Sequence, residues 1–151
     1  MTVKNLFFDA NIFNDIFDKN RPAFAKSSEA YIGALKCGMT IYTSCDIATT
    51  IYYITAKHVS REKALDGIAF LNTSVNIIPF GAKELSQTIA LMRNDTDYKD
   101  FEDSIQYILA LNTQCDVIVT NDKNFVSKEL ECLNAESFVE KYLDECRRSK
   151  Y

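Results

Sequence analysis

Five short apolar runs, separated by longer stretches of helical period, constrain this chain more than any other feature. They are residues 3–8, 39–43 (MTIYT), 75–80 (VNIIPF), 116–121 (DVIVTN) and a weaker fifth, LECLN at 130–134. Between them the apolar residues recur every three or four positions, which predicts helices. These cover 11–18, 23–36 (ending near Gly38), a helix capped by Ser44 and reaching residue 57, 60–72 with Ser60 as cap, 82–93, 101–112, and a single terminal helix from 135 to 148. Strands that are apolar throughout, each returning through a helix, argue for a parallel sheet buried on both faces. The expected fold is therefore α/β, a three-layer α/β/α sandwich around a central parallel sheet. With 151 residues and only four Gly and two Pro, the chain leaves no room for a linker, and one domain over residues 1–151 is expected.

Charge and cysteine content limit the partners and the setting. The formal net charge of −4 excludes nucleic-acid binding by bulk electrostatics. If the chain handles nucleic acid, it does so through a local basic patch, a partner or a bound metal. The five cysteines, Cys37, Cys45, Cys115, Cys132 and Cys146, are odd in number and form no Cys-x-x-Cys pair. That spacing suits neither a disulfide framework nor a zinc site, and it reads as free thiols in a reducing cytosol. Neither a signal peptide nor a membrane helix is legible, so a cytoplasmic protein with no membrane contact is expected.

Ligands of open parallel sheets sit beyond the carboxyl ends of the strands. Two runs here end in acids: residues 3–8 lead into Asp9, and 116–120 lead through Asn121 into Asp122. On a helical wheel of 101–112, Phe101, Ile105, Ile108 and Leu109 form the main buried arc, and Glu102 and Gln106 form the polar wedge. Asp103 falls between Tyr107 and Ala110, in a second apolar arc where solvation does not explain a carboxylate. Asp100 can act as the helix cap, which places Asp103 in the first turn. Should Asp9, Asp103 and Asp122 converge, each pair at ~5 Å would repel by about 3 kcal/mol at an effective dielectric of ~20. Such a cluster recruits a cation, takes up a proton or splays apart. An all-oxygen donor set suits Mg²⁺ or Mn²⁺, and phosphodiester hydrolysis is the matching chemistry.

Three segments make this pattern specific: FFDANIF at 7–13, DFEDSIQYILA at 100–110 and VIVTNDKNF at 117–125. In this order and spacing the chain resembles the PIN domain, a family of metal-dependent ribonucleases, and within it the compact VapC-like toxins of bacterial toxin–antitoxin pairs. The resemblance implies a sheet of order 3-2-1-4-5. It implies catalytic and metal-holding roles for Asp9, Asp103 and Asp122, with Asn11 and Thr120 supporting Asp9. It also implies an RNA substrate, Mg²⁺ or Mn²⁺ as cofactor, a cognate antitoxin protein and, as family members often do, pairing into a homodimer.

One departure bears on activity. The family usually carries a Glu in the helix after the second strand, and the matching position here is Thr50; Asp46, a turn earlier, is placed either to approach the site or to serve the helix start. An alternative function follows, a weakened or inactive PIN module that binds RNA or a protein partner. A receiver-like phosphoacceptor domain fits less well, because its first strand should be followed by a pair of acids and FFDAN offers one. The single His58 has no nucleophile elbow to serve.

Overall fold

The computed structural model describes residues 2–149. Its strands are β1 (Asn5–Phe8), β2 (Thr40–Ser44), β3 (Asn76–Ile78), β4 (Val117–Val119) and β5 (Glu131–Leu133). All pair in parallel, in the order β3-β2-β1-β4-β5. The helices are α1 (Ala10–Ile16), α2 (Phe24–Lys36), α3 (Ile47–His58), α4 (Arg61–Ser74), α5 (Ala82–Asn94), α6 (Phe101–Asn112), α7 (Ala135–Phe138) and α8 (Asp144–Ser149).

The pleat of β1 and β4 divides the core into two layers. Leu6, Phe8, Val117 and Val119 point to one face and pack against α1–α4 and the terminal helices. Phe7 and Ile118 point to the other, against α6 and the partly buried Leu91 and Met92 of α5. Period-2 alternation within strands that are wholly apolar is what a sheet covered on both sides requires. Chain order runs outward from β1 in one direction to β3, then restarts at β4 on the other side. The switch point lies between β1 and β4, and there Asp9 N–H donates to the Val119 carbonyl at 3.1 Å.

Four expectations need correction. Ser44 does not cap α3: β2 runs through it, it is fully buried, and its hydroxyl donates to the Asp46 carboxylate. Asp46 stands at the cap position of α3 without a capping side-chain bond. The terminal helix is not uniform, because a π-helical segment, Val139–Leu143, separates α7 from α8. The widened turn accompanies burial of Phe138, Val139 and Leu143 together, with Leu143 lying where a Cβ on Gly33 of α2 would collide with it.

The third correction concerns the thiols. Cys37, just past α2, is disulfide-bonded to Cys146 of α8 at a Cα–Cα distance of 6.2 Å, while Cys45, Cys115 and Cys132 remain free. The partners are 109 residues apart in sequence, and only the packing of the terminal helix along α2 brings them together. The fourth is the wheel of α6: Phe101, placed in its buried arc, is 46 % exposed, while Gln106 of the polar wedge is fully buried, its amide reaching back 3.4 Å to Glu102. No helix among the described residues is long and apolar enough to cross a membrane.

Candidate active site

Asp9 follows the last residue of β1 and caps α1. Its backbone is extended, and its Oδ1 accepts from Ala10 N–H at 2.7 Å. Oδ2 accepts from Asn11 Nδ2 at 3.0 Å and from the Thr120 hydroxyl at 2.8 Å. Thr120 follows β4, so strand pairing alone carries its hydroxyl to Asp9. The Asn11 amide is oriented from both ends. Nδ2 also donates to Thr120 Oγ1, and Oδ1 accepts from Asn121 N–H at 3.0 Å. Asp9 at this seam is 6 % exposed. Burial pushes its carboxyl above the ordinary 3.8, with the Asp122 and Asp46 charges adding to the effect and the Thr120 and Ala10 bonds opposing it.

Asp103 enters from α6. Asp100 caps that helix by accepting from Asp103 N–H at 2.9 Å, and Ser104 Oγ donates to the Asp100 carbonyl at 2.6 Å. The cap fixes the first turn and with it the half-buried Asp103 side chain. Its carboxyl is pushed up to about 7, first by burial and then by the charges of Asp9, Asp100, Asp122 and Glu102. Asp122 sits in the turn after β4, where its N–H donates to Thr120 Oγ1 at 3.1 Å and its Oδ1 accepts from Asn124 N–H at 2.9 Å. The three acids found in the sequence thus share one electrostatic neighbourhood. Thr50 is half-buried on α3, and no hydrogen bond joins it to them among the described residues.

Two further acids face this cluster: Asp46, which the sequence places either near the site or at the helix start, and Glu102. Glu102, assigned to solvent by the helical wheel, is exposed overall, yet desolvation and the charges of Asp46, Asp9 and Asp100 raise its carboxyl. Asp46 therefore faces the same region, and the residue missing at Thr50 is accompanied by two acids nearby. For Glu102 the only signal in the sequence was the density of acids in DFED. Cys132 on β5 senses the field as well: burial, then Asp9, Asp103 and Asp122, push its thiol up to about 11.

Asn121 was also missed as more than a strand end. Its Nδ2 donates to Asp15 of α1 at 2.8 Å and to Ser27 of α2 at 3.0 Å, and its Oδ1 accepts from Ala135 N–H at 3.0 Å. One side chain beside Asp122 therefore ties together three helices. Asp122 also lines a cleft of about 630 Å³, together with Asp103 and the loop 97–100. Lys128 holds that loop through Asp95 and Asp97, each at 2.7 Å.

The donor set is suited to a hard cation. Among the described residues no lysine, arginine or histidine pairs with Asp9, Asp103 or Asp122. The repulsion evident in Asp103 is left for a proton or a metal to relieve. No three His, Cys, Asp or Glu side chains among the described residues lie close enough to enclose an ion by themselves.

Comparison with known proteins agrees with this geometry. A family model described as a PIN domain matches residues 5–124. The chain is 38 % identical over 142 residues to Ribonuclease VapC1 of Aquifex aeolicus (strain VF5), covering 94 % of this chain and 98 % of that protein. Two solved structures share the fold at low identity. VapC20 of Mycobacterium tuberculosis, a Sarcin-Ricin loop cleaving toxin, aligns with a TM-score of 0.66 at 14 % identity over 80 % of this chain and 92 % of its own. VapBC2 from Rickettsia felis, bound to a DNA fragment from its promoter, aligns at 0.62 and 18 % identity over 86 % and 98 %. Together with the 3-2-1-4-5 sheet and the acids at its switch point, these matches establish that the chain belongs to the PIN domain family.

Proposed function

We propose that this chain is a divalent-metal-dependent endoribonuclease, the toxin of a bacterial toxin–antitoxin pair. The observation that carries the reading is the acid cluster at the β1/β4 switch point, where burial and mutual repulsion push Asp103 up to about 7 and no basic side chain among the described residues pairs with it. In support stand the relative named a ribonuclease and the neighbours named as a toxin and a toxin–antitoxin assembly.

Asp9, Asp103 and Asp122 would hold Mg²⁺ or Mn²⁺, with water completing the shell, as is usual for Mg²⁺. When bound, such an ion supplies Lewis acidity at the phosphoryl group and neutralises charge in an in-line displacement. The chain's own residues do the positioning. Asn11 and Thr120 fix the rotamer of Asp9 by donating to Oδ2, and the Thr120 bond opposes the upward push of burial on its carboxyl. Asp100 fixes the turn that presents Asp103. Asp46 and Glu102 add negative potential that raises cation affinity, a part that Thr50 cannot play.

The test is cleavage of RNA in Mn²⁺ by the wild type beside Asp103→Asn. Loss of cleavage in the variant is expected. Equal activity in both, or none in either, would remove the catalytic claim and leave the alternative of an inactive RNA- or protein-binding module, in which affinity survives the substitution unchanged.

A further inference from the structure

A chain of net charge −4 that takes RNA as its substrate must place the few cations it uses with care. Three clefts meet at Asp122, and each brings one basic side chain: Lys99, Lys123 and Arg21. Lys99 and Lys123 stand on exposed loop positions. Arg21 differs from both. It lies in the turn between α1 and α2, where its N–H donates to the Asp18 carbonyl and its own carbonyl accepts from Phe24 N–H, so its backbone is fixed on both sides.

Its side chain is fixed as well. Arg21 Nε donates to Asp15 Oδ1 at 2.8 Å, and the Asp15 side chain is only 5 % exposed. Asp15 is in turn held by the Ser27 hydroxyl and the Asn121 amide, each at 2.8 Å from Oδ2. This buried relay leads from Arg21 to the residue beside Asp122. Simple neutralisation of Asp15 uses one N–H of a guanidinium that has five. Among the described residues the others bond to no protein group, and the side chain remains 35 % exposed. It lines a cleft of about 490 Å³ together with Asn11, Asn121 and Asp122. A planar donor fork held at one edge and open at the other matches the oxygens of a phosphodiester.

We infer that Arg21 is a phosphate-binding residue for the RNA strand. It takes a non-scissile phosphodiester as the strand runs past Asp122 into this cleft, with Asp15 orienting the guanidinium. The inference rests on the ribonuclease reading, and the experiment separates the two. Binding of a short fluorescein-labelled single-stranded RNA is titrated over a salt series by the full chain carrying Asp103→Asn, without and with Arg21→Gln. Loss of one phosphate contact should weaken binding about tenfold. It should also make the slope of log K against log salt shallower by about 0.7, which a purely structural change would not.

Because Arg21→Gln leaves the buried Asp15 unpaired, the double change Arg21→Gln/Asp15→Asn is measured alongside, with melting temperatures for all three proteins. The same shallower slope in the single and the double variant supports the subsite. An unchanged slope overturns it. A slope restored in the double variant also overturns it, since the loss would then belong to the uncompensated Asp15 charge. In either case the ribonuclease reading stands if the wild type cleaves RNA in Mn²⁺. No RNA binding by the parent and no cleavage by the wild type overturns both.

Discussion

Replacing Asp103 with Asn should make the metal-free protein more stable while removing its activity. The gap between about 7 in the fold and the ordinary 3.8 corresponds to about 4 kcal/mol at ~1.36 kcal/mol per pKa unit. The side chain is half-buried and its neighbours are partly solvated, so screening reduces this to about 1–2 kcal/mol. A folded-state pKa raised in an acid means that the folded chain binds more protons than the unfolded one between 3.8 and about 7. Stability is therefore lost as the pH rises through that window. Asn cannot charge and escapes the loss. The variant's advantage should be full at pH 8, shrink through pH 6 and vanish near pH 4. For a chain of this size it amounts to a melting temperature higher by about 2–8 °C. The assay is thermal unfolding in EDTA across that pH range, repeated with Mn²⁺, which should raise the wild type and leave the variant nearly unmoved. A variant that melts at or below the wild type at pH 8, or a difference that does not contract on acidification, would refute the account of Asp103 as a repelled carboxylate.

Cys146→Ser should cost about 2–4 kcal/mol in the oxidised protein and nothing after reduction, read by denaturant unfolding with and without dithiothreitol. Gly33→Ala should destabilise by about 1–3 kcal/mol, because its Cβ would collide with the buried Leu143; a Leu143→Ala background should recover part of that loss in the same assay. Gln114 sits at φ 60°, in the left-handed region, at the end of α6, so Gln114→Gly should stabilise by about 1 kcal/mol in thermal melts.

Much of the architecture was readable because the apolar runs and the helical periods are locally consistent. Ser60 caps α4 through Lys63 N–H, and Gly38 ends α2 at φ 76°, both as their residue types require. The weak LECLN run pairs as β5, because parallel pairing with β4 supplies what its own composition lacks. What stayed hidden depended on distant contacts. The end of β2 at Ser44 is set by pairing with β3, which a propensity for capping cannot anticipate. The partner of Cys37 lies 109 residues away and follows only from how the terminal helix packs. Gln114 gives no sign of a left-handed turn, since Gly or Asn ordinarily marks one. At the candidate site the acids that end strands or break an apolar arc were visible one by one. Glu102 and Asn121 were not, because each looks ordinary in its own segment and matters only for what it faces across the crevice.

The hydrogen bonds around Asp9 have a direction as well as a length. Thr120 has one hydroxyl proton, and its two lone pairs are taken by Asn11 Nδ2 and Asp122 N–H, so that proton goes to Asp9 Oδ2. Oδ2 then has both of its acceptor positions filled, and reversing the Asn11 amide would break its bond from Asn121 N–H. A proton on Oδ2 would meet two donors head-on. Only Oδ1, which accepts from Ala10 N–H alone, has an acceptor position in reserve. A proton and any cation drawn to this carboxylate would therefore compete for one vacancy, and the switch point of the sheet is wired to hold it open.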